Sequence, residues 1–588
     1  MTPGTPHENR RLKSPPIASI LKIEVHSPKM TQPKNAITQA ISRQAMFLIS
    51  FTLLVYAQAI SFPFLHLDDT VYIVSNDEVH HWSDIPSYFT GNAGEHFFAH
   101  GAPLLRNLYR PMVGCWVLLN YKLFGTQAAL WHLSAIAMYV LGVWLFWRMA
   151  WRLSKNDFVA LAAALIYALH PLHAEGVCWL SGACVETLLA VFFFGGFIAY
   201  LRWRESQKTA WLLACAVLTL LAFLSKETAA ALPVLIIAHA LLFPSTEHQA
   251  QDRSIRFFWL NLTMVATTAL YALLRFAAIH AVVISYAQRN WADISRTAPL
   301  LFVTQLKHAF WPLHLGPWYD VPIITTAKGA NFYLPLAICI AYVALTVWSL
   351  SRKPLVAFLL LWWAVTLGPA IVGSVIQPDS NIVQDRFTFT ALAGFSIVVA
   401  LLLARLPNKS GRLIFGFNAT ASVAALLIAA VLGVLSTLQV GVWKSDLAML
   451  SHAIEVTPTS VRPRVLLGAE YLKLGDPTRS VAAYRSAVDL APNRWEILYS
   501  YGVALASDGH RPEAIVAMQR AMQANPVMTP PYLIAADLLV REGRLDEAIT
   551  TLEHGVPIAR EPEILRHQLA QLLWLRQGRA RKINQATK

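Results

Sequence analysis

Between about residues 45 and 440 the chain is a succession of apolar runs, most of them long enough to cross a lipid bilayer. A spanning helix needs about 20 apolar residues, because each adds about 1.5 Å against roughly 30 Å of hydrocarbon. Eleven such segments are read at 45–64, 128–148, 158–171, 183–202, 210–225, 228–243, 256–280, 333–350, 355–376, 388–405 and 412–439. Composition agrees, with 56% hydrophobic and 14% charged residues, where soluble domains carry about 25% charge. The expected fold is an all-α polytopic membrane bundle, which excludes a soluble globular enzyme. Two weaker stretches, 112–124 with Asn120 and Lys122 and 298–314 with Lys307, His308 and Pro312, are expected to lie at the interface or re-enter.

Charge assigns the sides. Counting from a basic tail over 1–44, the loops RMAWRLSK, RWRESQK, QDRSIR, SRK and RLPNKSGR all follow even-numbered segments. Cytoplasmic loops are enriched in Lys and Arg. The tail is therefore expected to be a disordered cytoplasmic segment, and the C-terminal region to be extracytoplasmic. The net charge of +14 reads as anchoring to anionic lipid, not as nucleic-acid binding. Five cysteines without a CxxC pair suit small buried side chains. Short loops and compact repeats favour a bacterial inner membrane.

From about Trp443 the pattern changes to a 34-residue period. Gly468, Gly502 and Ala536 share one phase, Ala487, Ala521 and Gly555 a second, and Pro492 and Pro526 a third. Small residues let paired helices approach and proline ends the second helix, which is the tetratricopeptide pattern. Units are expected at about 460–493, 494–527 and 528–561, with a capping helix, in a domain over 443–580. The membrane domain is then 45–440, with a first outer loop over 65–127.

Ionisable residues near spans are costly, and are functional candidates for that reason. On the outer side fall Asp68 and Asp69 in LDDTVY, Arg110 in NLYRP, and His170, His173 and Glu175 in HPLHAEG. Lys226 and Glu227 in SKETAAALP and Asp385 with Arg386 in QDRFTF join them, as do Tyr319 and Asp320. Lys and Arg suit a lipid-linked phosphate, Arg in a bidentate way. A carboxylate suits deprotonation of an acceptor hydroxyl, or a hard divalent cation such as Mg or Mn, for which Asp68 and Asp69 are the candidate ligands. Plainer readings stand beside these: a snorkelling anchor for Lys226 and Glu227, helix caps for the histidines, and loop residues for His80 and His81. No Gly-rich phosphate loop or Ser-His-Asp set points to another chemistry.

The ordered motifs LDDTVYIVSNDEV, YRP, LFGTQAALWHL, ALHPLHAEGVCWLSG, SKETAAALP and QDRFTF, followed by the repeats, resemble the transmembrane and tetratricopeptide repeat-containing O-mannosyltransferases and their bacterial relatives. These belong to the C-type glycosyltransferase superfamily. The resemblance implies transfer of a sugar from a polyprenyl-phosphate carrier to a protein hydroxyl outside the cytosol. It implies Asp68 or Asp69 as the acid of the first loop. It implies Lys226, Glu227, Arg386, Arg110, His170, His173 and Glu175 as the surroundings of the carrier phosphate. Two positions depart from it. Ala183 and Cys184 follow SG where relatives often carry Arg, with Glu186 the next acid, and Phe387 stands where Tyr is common.

The expected chemistry is one displacement at the anomeric carbon with inversion, a carboxylate acting as base. The repeats would offer a concave surface to an extended acceptor peptide. A glycan or lipid acceptor and a non-catalytic membrane scaffold are the alternatives. A glycolipid transporter fits less well, since its polar groups belong at mid-bilayer.

Overall fold

The computed structural model describes residues 34–66, 68–76, 79–91, 108–244, 250–280, 290–376, 382–408, 411–414 and 416–586. Among these the chain is almost wholly helical, with one two-stranded antiparallel hairpin pairing Leu413–Ile414 with Phe417–Asn418.

Among the described residues, seven helices are long and apolar enough to cross a membrane: Arg43–Ser61, Ala128–Ser154, Leu180–Ser206, Asp252–Ile279, Ala330–Arg352, Pro354–Val375 and Ala419–Val442. An eighth candidate is the pair Asp157–Ala168 and Pro171–Cys178, bent by 53°. Three shorter apolar helices, Thr209–Phe223, Glu227–Leu242 and Leu392–Leu403, complete the series. Every expected segment thus coincides with an apolar helix, although only some reach spanning length by themselves. Pro171 breaks the third segment, because a proline cannot continue the hydrogen-bond ladder. Residues 112–124 form the helix Pro111–Phe124. The second weak stretch forms the Trp291–Phe310 helix, with Pro299 inside it.

The lipid-facing surface is visible in the Ala419–Val442 helix. Leu427, Val431, Val434 and Leu438 recur at helical spacing and are 59–67% exposed, a stripe that water would not tolerate and lipid covers. Its opposite face is buried, and there the Ser436 hydroxyl donates to the Leu169 carbonyl at 2.8 Å.

The described residues of the 65–127 loop pack against the bundle. Ile73, Val79, Tyr88, Val113 and Val117 pack into one apolar cluster with Trp131, Leu180 and Ala183 at the starts of two long helices. The far ends of the same helices carry Arg152, Lys155 and Glu205, with Arg152 Nε 3.8 Å from a Glu205 oxygen. On these two helices the packed loop and the basic residues therefore lie at opposite ends.

A short helix, Asp446–Val456, leads into three helical pairs and a terminal helix, Pro562–Ala586. The pairs are Arg462–Lys473 with Pro477–Leu490, Trp495–Ser507 with Arg511–Ala524, and Thr529–Arg541 with Leu545–Gly555. Within each pair the turn uses a glycine at positive φ: Gly475 at +75°, Gly509 at +85° and Gly543 at +78°. This left-handed turn is a fourth phase of the 34-residue period, and only glycine adopts it without strain.

Candidate functional site

The site begins at the end of the first span. Phe62 to Leu65 run on as extended chain, and Asp69 leads into a wide helical turn, Thr70–Val74. Asp69 is fully buried. One of its oxygens accepts the Leu65 N–H at 3.0 Å. The other accepts the Ser181 N–H at 2.8 Å and also the Ser181 hydroxyl. Ser181 stands in the first turn of the Leu180–Ser206 helix, where unsatisfied N–H groups favour a carboxylate. Burial pushes the Asp69 carboxyl up to about 6, against these hydrogen bonds.

Asp68 differs from its neighbour. It is partly exposed, and its carboxylate makes no hydrogen bond among the described residues. Burial raises its carboxyl, while the charges of Arg386 and Arg462 act in the opposite sense. Arg462 opens the first repeat helix, so the repeat domain reaches this site.

Each remaining cation is held by an acid. Arg386 Nη1 donates to Glu175 at 2.6 Å, and the Arg386 backbone N–H donates to the other Glu175 oxygen at 2.9 Å. The guanidinium also lies 4.6 Å over the Trp179 ring. Lys226 Nζ lies 2.5 Å from Glu186 and 5.8 Å from the centre of the Phe387 ring. Arg110 grips Glu227 through Nε at 3.1 Å and Nη2 at 2.9 Å. Arg275 approaches the other Glu227 oxygen at 3.5 Å. These pairs are near enough to act on one another, since Lys226 feels the charges of Arg110 and Arg386, and Arg386 acts on Asp68. Asp385 is buried beside them and accepts the Tyr319 hydroxyl at 2.5 Å.

The close approach of the HPLHAEG stretch to the QDRFTF segment depends on Gly176. A Cβ there would meet the Phe389 ring at 2.8 Å and the Glu186 side chain at 3.3 Å.

Asp68, Lys226, Arg386 and Arg110 come together with Glu175 and Glu227. Glu175 holds Arg386, and Glu227 holds Arg110 and Arg275. His170 and His173 lie inside the fold. Both are buried; His170 Nδ1 accepts the Leu172 N–H while Nε2 lies 3.1 Å from the Ala309 carbonyl. His173 Nε2 lies 3.3 Å from the Phe389 carbonyl. Their rings tie backbone segments together.

The divalent cation expected at Asp68 and Asp69 does not fit these residues. Asp69 spends both oxygens on Leu65 and Ser181, and two arginines act on Asp68. A cation would meet one free carboxylate and like charge. His80 and His81 remain loop residues, the former stacked on Tyr121 at 3.7 Å.

Sequence reasoning missed Glu186, Arg275 and Arg462. The first two carried a signal, as charged residues inside apolar segments. Arg462 carried none, since it reads as an ordinary repeat residue.

The chain matches the tetratricopeptide repeat family over residues 465–528. It is 22% identical to a protein O-mannosyl-transferase of Caenorhabditis elegans over 479 residues, covering 77% of this chain and 63% of that one. It is 24% identical to the human protein O-mannosyl-transferase TMTC4 over 382 residues, covering 57% of this chain and 49% of the relative. The chain is similar in sequence to these protein O-mannosyl-transferases. It spans about half to two thirds of the length of these two relatives. Among solved structures, ArnT from Cupriavidus metallidurans, bound to undecaprenyl phosphate, aligns over 81% of this chain and 79% of its own, with 14% identity and a TM-score of 0.35. That score is too low to transfer any feature.

Proposed function

We propose that this membrane protein is a glycosyltransferase that moves a sugar from a polyprenyl-phosphate carrier to a hydroxyl of an extracytoplasmic acceptor, a protein Ser or Thr side chain. One observation carries the reading. Asp68 is the acid of the cluster whose carboxylate stays unbonded among the described residues, while Asp69, Glu175, Glu186, Glu227 and Asp385 each have a partner. The O-mannosyl-transferase relatives support the transfer of a sugar.

In this reading Asp68 takes the proton of the acceptor hydroxyl as its oxygen attacks the anomeric carbon. The bond from that carbon to the phosphate oxygen breaks, and the carrier phosphate leaves with the electron pair. Its growing charge falls to Arg386, Lys226 and Arg110, held in place by Glu175, Glu186 and Glu227. Cations already fixed by acids need little rearrangement when that charge appears. A single displacement inverts the anomeric centre. The repeat helices present the acceptor, since Arg462 at their start faces the same acid.

The test is transfer in detergent with radiolabelled polyprenyl-phosphate sugars and extracytoplasmic protein acceptors, comparing the parent with Asp68→Asn. Sugar transfer by the parent and its loss in the variant is the expected result. Equal transfer by both removes Asp68 from the chemistry, and no transfer from any carrier sinks the reading.

A further inference from the structure

His66 stands two residues before Asp68, and the chemistry above makes no use of it. Its ring meets two carboxylates from the other end of the chain. Nδ1 is 3.0 Å from Asp446 Oδ2 and 3.5 Å from Glu470 Oε1. Asp446 opens the helix that leads into the repeats, and Glu470 lies in the first repeat helix. One ligand atom from each residue lies within 4.8 Å of the other two.

We propose that His66, Asp446 and Glu470 form a divalent-cation site that joins the loop of Asp68 to the repeat domain. The first argument is charge. The carboxyl side chains are only 9% and 11% exposed, and among the described residues the ion-pair partner of each is His66. Two carboxylates brought together away from water repel one another and lose hydration. A divalent cation cancels both charges, and a neutral imidazole binds it through a ring nitrogen.

The second argument is geometry. A tetrahedral zinc with bonds of about 2.0–2.2 Å holds its ligand atoms about 3.4 Å apart. The separations of 3.0 and 3.5 Å bracket that edge. Asp446 is also oriented by backbone, since the His66 N–H donates to its oxygens at 3.0 and 3.1 Å. Such supporting bonds hold a ligand ready for metal. The side chain of His66 is 44% exposed, which leaves room for a water on the open position.

The third argument is ligand chemistry. One imidazole nitrogen with two carboxylates suits zinc, or manganese second, better than calcium or magnesium, which prefer oxygen throughout. The residues come from the loop of Asp68, the helix that leads into the repeats and the first repeat helix, so a bound cation would fix the attitude of the repeats toward Asp68. This site does not depend on the transfer reading, because its readout is metal uptake.

The experiment uses the full chain in detergent, stripped with a chelator and titrated with zinc and then manganese by calorimetry, with bound metal counted by elemental analysis. The parent is expected to take up one zinc saturably, and zinc to raise its melting temperature. His66→Ala and Glu470→Gln are each expected to weaken uptake about tenfold or more and to lose the zinc-dependent rise. Glu470→Gln keeps the volume of the side chain, and a metal-free melting temperature equal to the parent's shows that it has folded. No saturable uptake by the parent, or equal uptake by parent and Glu470→Gln, overturns the site.

Discussion

The Asp69 carboxylate accepts both the backbone N–H and the hydroxyl of Ser181, a residue 112 positions away at the start of the Leu180–Ser206 helix. This bond fastens the first outer loop to the bundle and leaves Asp68, one residue earlier, turned toward Arg386 and Arg462. The two aspartates therefore have separate duties, and their asparagine variants separate as well. Asp69→Asn turns an amide NH2 toward the N–H of either Leu65 or Ser181, so one buried donor loses its acceptor. That costs about 1–3 kcal/mol and lowers the thermal midpoint. Asp68→Asn breaks no side-chain hydrogen bond among the described residues, so its midpoint stays with the parent while transfer falls about 10²- to 10⁴-fold. Paired melting and transfer assays check both, and a reversed pattern exchanges the roles.

Arg386 combines three contacts: Glu175 through its side chain, Glu175 through its backbone and the face of Trp179. Lysine keeps the charge but neither the fork nor the stacking plane. Arg386→Lys is expected to lower kcat/KM for the lipid donor by about 10- to 100-fold, equivalent to about 1.4–2.7 kcal/mol, with little change in the KM of the acceptor. Initial rates over donor and acceptor concentration decide this. An equal effect on both substrates would assign Arg386 to the fold instead.

Acid sensitivity follows from Asp68. Burial raises its carboxyl above the usual range and outweighs the pull of Arg386 and Arg462. A general base works only when ionised, so kcat/KM falls as pH drops through this raised value, and the acidic limb lies above that of an ordinary aspartate. Removing Arg462 withdraws a charge that favours the ionised form. Arg462→Gln is therefore expected to move the limb to higher pH, and Arg462→Lys to leave it near the parent's. A pH–rate profile that stays fixed in Arg462→Gln, or moves down, contradicts the assignment.

Periodicity made the architecture legible, because lipid crossing and helix pairing each impose a length and a phase on local sequence. The motifs likewise marked which residues gather at one end of the bundle. What local sequence does not carry is pairing. Lys226 and Glu227 are neighbours in sequence, yet Lys226 goes to Glu186 and Glu227 to Arg110 and Arg275. Adjacent side chains on a short turn diverge, and partners are set by helices that meet only in the fold. An imidazole that holds buried backbone, as at His170 and His173, looks in sequence like one that serves a substrate. The departure at Ala183 and Cys184 has a structural counterpart, because both pack into the apolar cluster beneath the outer loop.

The repeats offer a test of packing that leaves the membrane site untouched. A Cβ on Gly468 would stand 2.7 Å from two atoms of the Tyr484 ring and 2.9 Å from a third. The ring is buried and rigid, so Gly468→Ala forces the two helices of the first repeat apart. Overpacking of this kind costs about 1–3 kcal/mol, more than the roughly 1 kcal/mol that alanine gains in a helix. At the matching position of the second repeat, the Gly502 Cβ would meet the terminal methyl of Met518 at 2.7 Å, with Ala514 and Ala517 atoms at 3.3 Å. A methionine end swings away at little cost, and the helix gain offsets the rest. Thermal unfolding of the full chain is expected to show Gly468→Ala clearly destabilised and Gly502→Ala within about 1 kcal/mol of the parent. The opposite order would mean that the small residues of the two repeats serve different ends.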